Sequence, residues 1–191
     1  MQQILKKNKK YLMFIFIVVL IGIACGFIYY HFLSTETQIQ IADTLKNYNN
    51  FRYNFIIKYL VIMSLLLVLS FFIIGVPLSI LFLFYESLSI GFLINIFLVS
   101  FGISGLIYSS LFILINKLIS FILIICFIQK TINIGRFIIG MFIYKKDEVI
   151  FDKLIFNFKN SLYIILFVLL TNIILYFISP FIFEYFSFLL K

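Results

Sequence analysis

Apolar residues run through this chain in blocks of about 20 or more, separated by short polar stretches. A helix of that length is about 30 Å long, the thickness of a bilayer's hydrocarbon layer. The first block covers residues 11–33. The polar stretch 34–54, with only a weak apolar face at Ile39, Leu45 and Phe51, predicts a short interfacial helix and loop. Residues 55–98 are apolar for too long to be one span, and Gly75-Val76-Pro77 divides them. Proline restricts the residue before it and is at home in a helix's first turn, so spans over about 55–74 and 78–98 are expected, joined by a tight turn. The uncharged "SFGISG" at 100–105 predicts the next break, before a span over about 106–128.

In residues 129–160 basic and aromatic side chains alternate with aliphatics, and the apolar piece "FIIGMFIY" is too short to cross. The segment therefore predicts a basic amphipathic element on the inner membrane surface. A last span over about 161–178 ends at Ser179-Pro180, and the tail "FIFEYFSFLLK" is expected at the outer interface. The expected architecture is an all-α, polytopic membrane helix bundle with five transmembrane helices in a single membrane domain, residues 1–191.

Composition supports the bilayer as solvent. Of 191 residues, 64% are hydrophobic and only 12% charged, with a mean hydropathy of +1.21. A soluble domain of this size could not bury so much apolar surface. The +8 net charge does not point to nucleic acid, because the cations flank the spans. Lys6, Lys7, Lys9 and Lys10 precede the first block, and Lys130, Arg136, Lys145, Lys146, Lys153 and Lys159 fall within 129–160. The outer segments hold Lys46, Arg52 and Lys191, with Lys58 at the start of the second span. This asymmetry orients the N-terminus inside and the C-terminus outside, and the cations meet anionic headgroups. The start of the chain faintly resembles a lipoprotein signal before Cys25, but Gly22 stands where leucine is usual and the apolar run continues, so 11–33 is read as a span.

No enzyme signature is present: no phosphate-binding loop, no His-Glu-x-x-His, no nucleophile elbow and no paired cysteines. Cys25 and Cys126 lie inside apolar runs, and His31 is the only histidine, so neither a zinc spacing nor a disulfide framework exists. Asp147, Glu148 and Asp152 stand among lysines and read as a solvated face. The expectation is a protein that is not an enzyme and needs no cofactor or metal.

The unusual residues lie inside the membrane. Glu86 stands near the middle of the third span and Lys117 near the middle of the fourth. An ionised group at mid-bilayer costs about 3 kcal/mol on insertion scales, which favours pairing. Counted from a turn centred near Gly102, both sit about 22–24 Å along antiparallel helices. Ser87, Gly91 and Asn95 recur every four residues beside Glu86, while Gly105, Ser109, Asn116 and Ser120 lie near one stripe beside Lys117. Gly22 and Gly26 give the first span a small-xxx-small spacing. Small and polar residues at such intervals belong at helix contacts. Glu86, Lys117, Asn116 and Asn95 are thus the candidate intramembrane polar centre, serving as a packing clamp or as a functional site. Lys117→Met should impair membrane insertion and a second change, Glu86→Gln, should partly restore it. Full additivity in that double-mutant cycle, read by an insertion assay, would exclude direct coupling.

Taken in order, "IIGVPLSILFLFYESLSIGFLINIFLVSFGISGLIYSSLFILINKLISFILII" resembles the core of the stage II sporulation protein M family. The matching residues are Gly75, Pro77, Gly91, Phe92, Gly102 and Gly105. "ILYFISPFIF" is similar to the family's closing segment at Ile178, Ser179 and Pro180, and "IGIACG" to its first helix, so the resemblance covers nearly the whole chain. The chain departs from the family at Ile115-Asn116-Lys117, where members often carry proline and then Gln or His. It also departs at Ser87 in place of glycine and at Leu175 in place of an acidic residue.

The resemblance implies a multi-pass protein of the bacterial cytoplasmic membrane that acts in sporulation, at engulfment. It implies a scaffold for peptidoglycan remodelling, partnered by sporulation proteins D and P or other cell-wall hydrolases, which supply the chemistry. Membrane lipid is the other expected partner, nucleic acid is not one, and self-association is left open. The residues also admit a second class, a transport component using Glu86 and Lys117, such as a permease subunit or a proton-linked carrier. Five spans, however, give no even inverted repeat.

Overall fold

A computed structural model describes residues 2–46, 55–72, 74–144 and 147–186, with side chains over 13–41, 58–72, 74–111, 113, 117–141, 151–178 and 181. The described residues form six helices and no strand. These are α1 (Gln2–His31), α2 (Thr35–Lys46), α3 (Phe55–Ser70), α4 (Gly75–Asn116), α5 (Leu118–Tyr144) and α6 (Asp147–Phe186). Four of them contain stretches long and apolar enough to cross a membrane: Met13–His31, Gly75–Leu111, Leu118–Met141 and Phe151–Ile178. A shorter apolar helix covers Lys58–Ser70. Large apolar side chains also point outward, among them Phe16, Leu65, Leu166 and Phe177. Helices exposing such side chains are at home in lipid. The protein is a multi-pass membrane protein.

The chain forms two compact units. The first comprises residues 1–51, 83–115 and 182–191, and the second comprises 52–82 and 116–181.

In the first unit, α1 ends in a built corner. Phe32 and Leu33 donate their amides to Tyr29 O and Tyr30 O at 3.1 and 3.2 Å. Gln38 Nε2 donates to Tyr30 O and Leu33 O at 3.2 and 3.1 Å, tying α2 to the last carbonyls of the α1 end. Ser34 starts α2, its Oγ 2.6 Å from Thr37 Oγ1 and accepting from Thr37 N at 3.4 Å, the role of an N-cap serine. In α4 the backbone leaves the helix at Gly102, with φ 63° and ψ −142°. Phe97 and Tyr108, which a straight helix would hold about 16 Å apart, have ring centroids 5.4 Å apart. Gly105 likewise meets the Phe97 carbonyl. The two arms of α4 in this unit, 83–101 and 103–115, therefore fold back on each other.

In the second unit, α3 and the start of α4 form an antiparallel hairpin, with Tyr59 and Phe82 rings 6.4 Å apart. Gly75 lies against the backbone of Leu69 and Ser70 at its turn. α5 crosses this turn. A Cβ on Gly135 would lie 2.5 Å from Val76 Cγ2. Thr131 Oγ1 donates to Ser79 Oγ at 3.1 Å and shares its hydrogen with Ile128 O at 2.8 Å. α6 returns along α5, with Lys130 facing Phe156 and Phe71 facing Phe158.

Three boundaries differ from the sequence expectation. The helix expected over 106–128 is interrupted at Lys117, at the edge of the second unit. Residues 129–144 do not form a separate surface element. They continue α5, burying Thr131, Ile132, Ile134 and Ile138. α6 begins at Asp147 and continues through Pro180 to Phe186. A proline removes one helical donor and crowds the preceding turn, which bends a helix without having to end it.

Candidate functional site

A closely fitted seam of the first unit joins α1 to the N-terminal arm of α4. Buried positions on α1 recur every three or four residues, at Ile15, Val19, Gly22, Gly26 and Tyr30. On α4 they recur every four, at Leu83, Ser87, Gly91 and Asn95. These intervals place each set on one helical stripe. Contacts advance together along both helices: Gly22 meets Phe84 and Ser87, Gly26 meets Leu88 and Phe92, and Asn95 reaches Phe27. The two helices therefore run parallel.

The approach is one of backbone against backbone. A Cβ on Gly22 would stand 2.6 Å from Ser87 Cβ and 3.0 Å from Phe84 O. One on Gly26 would strike Leu88 O and stand 2.7 Å from Phe92 N, and one on Gly91 would strike Ile23 O. Only glycine lets backbones come so near, and in lipid that close packing supplies the helix attraction. Ser87 tolerates complete burial because its Oγ donates to Leu83 O at 2.7 Å in its own helix.

A polar latch and an aromatic cluster close one end of the seam. Asn95 Nδ2 donates to Phe27 O at 2.8 Å and lies 3.3 Å from His31 Nε2. The Phe92 ring centroid is 5.7 Å from that of Tyr29 and 6.1 Å from that of Tyr30. The latch joins the end of α1, and with it the α1–α2 corner, to α4.

Of the remaining expected residues, Glu86 is 4% exposed in the first unit. It shares the α4 face of Ile90 and Phe97 rather than the Ser87-Gly91-Asn95 stripe. Gly102 and Gly105 form the hairpin of the same unit. Ser109, on the stripe expected beside Lys117, donates to Leu106 O at 3.0 Å, while Asn95 turns to α1. Gly75 and Pro77 lie at the α3–α4 turn of the second unit, Gly75 buried and Pro77 exposed. Lys117, half-buried, is the single residue between α4 and α5, and its carbonyl accepts from Phe121 N at 2.8 Å as the helix resumes. The side chains of Asn116, Pro180, Asp147 and Glu148 lie outside the described residues, as does the stretch 47–54, expected to face outward.

Two features were missed in the sequence. His31 and the Phe27 carbonyl complete the Asn95 latch. Their signal was the register of Gly22 and Gly26, which continues to Tyr30 one turn later. On α6, Asn157, Ser161, Ile165, Val168 and Asn172 form one buried stripe. Its polar members bond along their own helix: Asn157 to Lys153 O, Ser161 to Asn157 O and Asn172 to Val168 O. Polar residues at intervals of three and four in an otherwise apolar helix were the readable sign of it. Among the described residues no group of three or more His, Cys, Asp or Glu could hold a metal ion. No protein-family model, curated protein or solved structure matches the chain.

Proposed function

We propose that the protein is a non-catalytic membrane scaffold that anchors a peptidoglycan-remodelling complex at the bacterial cytoplasmic membrane, as its resemblance to the sporulation protein M family implies. The observation that best supports this reading is the α1–α4 seam, where glycine backbones meet and Asn95 is committed to a neighbouring helix. A scaffold must hold fixed faces toward its partners, and such a seam resists sliding. Transport requires helices that exchange contacts between two states, and a seam with no side-chain cushion suits that poorly.

The reading is tested by purifying the full chain from its native membrane after mild crosslinking. Recovery of a cell-wall hydrolase, such as the family's sporulation protein D or P partners, is the expected result. Reconstituted liposomes showing substrate-dependent proton flux would overturn it.

A further inference from the structure

We infer that the α5–α6 hairpin carries a binding site for an anionic phospholipid of the surrounding bilayer, centred on Phe156 and built from Lys130, Lys153 and Lys159. Lys130 Nζ, on α5, lies 5.9 Å from the ring centroid of Phe156 on α6, within cation–π range. Phe156 is nevertheless 63% exposed, so the lysine covers only part of the ring. Lys153 and Lys159 are both exposed and stand three residues before and after Phe156. At 100° per residue they flank the ring by about 60° on either side, one turn apart along the axis in each direction. Three lysines thus border one exposed aromatic ring.

The occupant follows from charge and from the apolar surface beside it. A lysine stem can lie along apolar surface while its ammonium reaches for a lipid phosphate. The exposed Phe151, Ile155 and Leu162 on the same helix offer acyl chains an apolar wall. Asp152 is also exposed on this part of α6. Among the described residues, three ammonium groups against one carboxylate leave net positive charge, which selects an anionic headgroup over a zwitterionic one. This site is independent of which proteins the scaffold anchors.

The chain contains no tryptophan, so Phe156→Trp installs a single indole. It also preserves the partner of Lys130, since tryptophan is the best cation–π acceptor. The full-length variant is reconstituted with brominated phosphatidylglycerol or brominated phosphatidylcholine at equal mole fraction. The anionic lipid should quench with an effective association about fivefold stronger, the factor that about 1 kcal/mol of headgroup attraction gives. The preference should vanish when Lys130, Lys153 and Lys159 are all changed to alanine and survive when all three are changed to arginine. Equal quenching by the two lipids in the parent variant overturns the site. So does a preference that persists without the lysines, or a tryptophan that neither lipid reaches because protein covers it.

Discussion

Replacing Gly91 with alanine is expected to destabilise the fold by about 3 kcal/mol, toward the upper end of what overpacking costs. The reason is where the added methyl goes. A Cβ at Gly91 would strike the carbonyl oxygen of Ile23 and come within 2.9 Å of its Cα. A flexible side chain could rotate away, but helical backbone cannot, so α1 and α4 must separate. Separation loosens Gly22 and Gly26, which fit the same seam, and stretches the 2.8 Å bond from Asn95 to Phe27 O. Gly26→Ala should act likewise, because its methyl would meet Leu88 O. Gly140→Ala is the control: it changes the same atoms, but nothing lies within 4 Å of the new Cβ. Alanine's better helix propensity should leave that variant unchanged or slightly more stable. The measurement is the mole fraction of sodium dodecyl sulfate that abolishes the near-ultraviolet circular dichroism of the tyrosines in mixed micelles. A Gly91→Ala midpoint equal to that of Gly140→Ala would refute a backbone-contact seam.

The same seam marks how far the sequence could be read. The all-helical membrane class was legible because it depends only on the length and apolarity of the blocks, which lipid enforces without reference to neighbours. The spacings of Gly22 with Gly26, and of Ser87 with Gly91 and Asn95, identified stripes. A stripe does not name its partner, however: the sequence grouped Asn95 with Glu86, Asn116 and Lys117, while its acceptor lies on α1. Helix boundaries were harder to read where charge entered. Lys130, Lys153 and Lys159 suggested a segment resting on the surface, yet α5 and α6 run straight through them. Lysine stems allow this by carrying the charge to the interface while the backbone stays helical. The break at Lys117 has neither glycine nor proline at it, so no local signal announced it. The break at Gly102 had such a signal, and the uncharged "SFGISG" located it.

That break yields the second large effect. Gly102→Ala is expected to destabilise the α4 hairpin by about 1–3 kcal/mol, the cost of holding a residue with a Cβ in a backbone conformation that belongs to glycine. Steric crowding is not the cause, since nothing lies within 4 Å of a Cβ built there. The cost arises from φ 63° with ψ −142°, where a side chain clashes with its own backbone. Gly105, three residues on, is limited for the opposite reason. Its backbone is helical, but a Cβ would strike the Phe97 carbonyl of the facing arm. A separation measurement distinguishes the two causes. Cysteines replacing Val99 and Leu106, both exposed and on opposite arms, are spin-labelled in a Cys25→Ser, Cys126→Ser background. Relief of strain at position 102 favours straightening, so Gly102→Ala should add a population with a longer label distance. Gly105→Ala should instead shift the whole distribution by the small increment needed to clear one methyl. A Gly102→Ala distribution identical to the parent, with unchanged resistance to detergent, would mean that the reversal does not depend on the glycine.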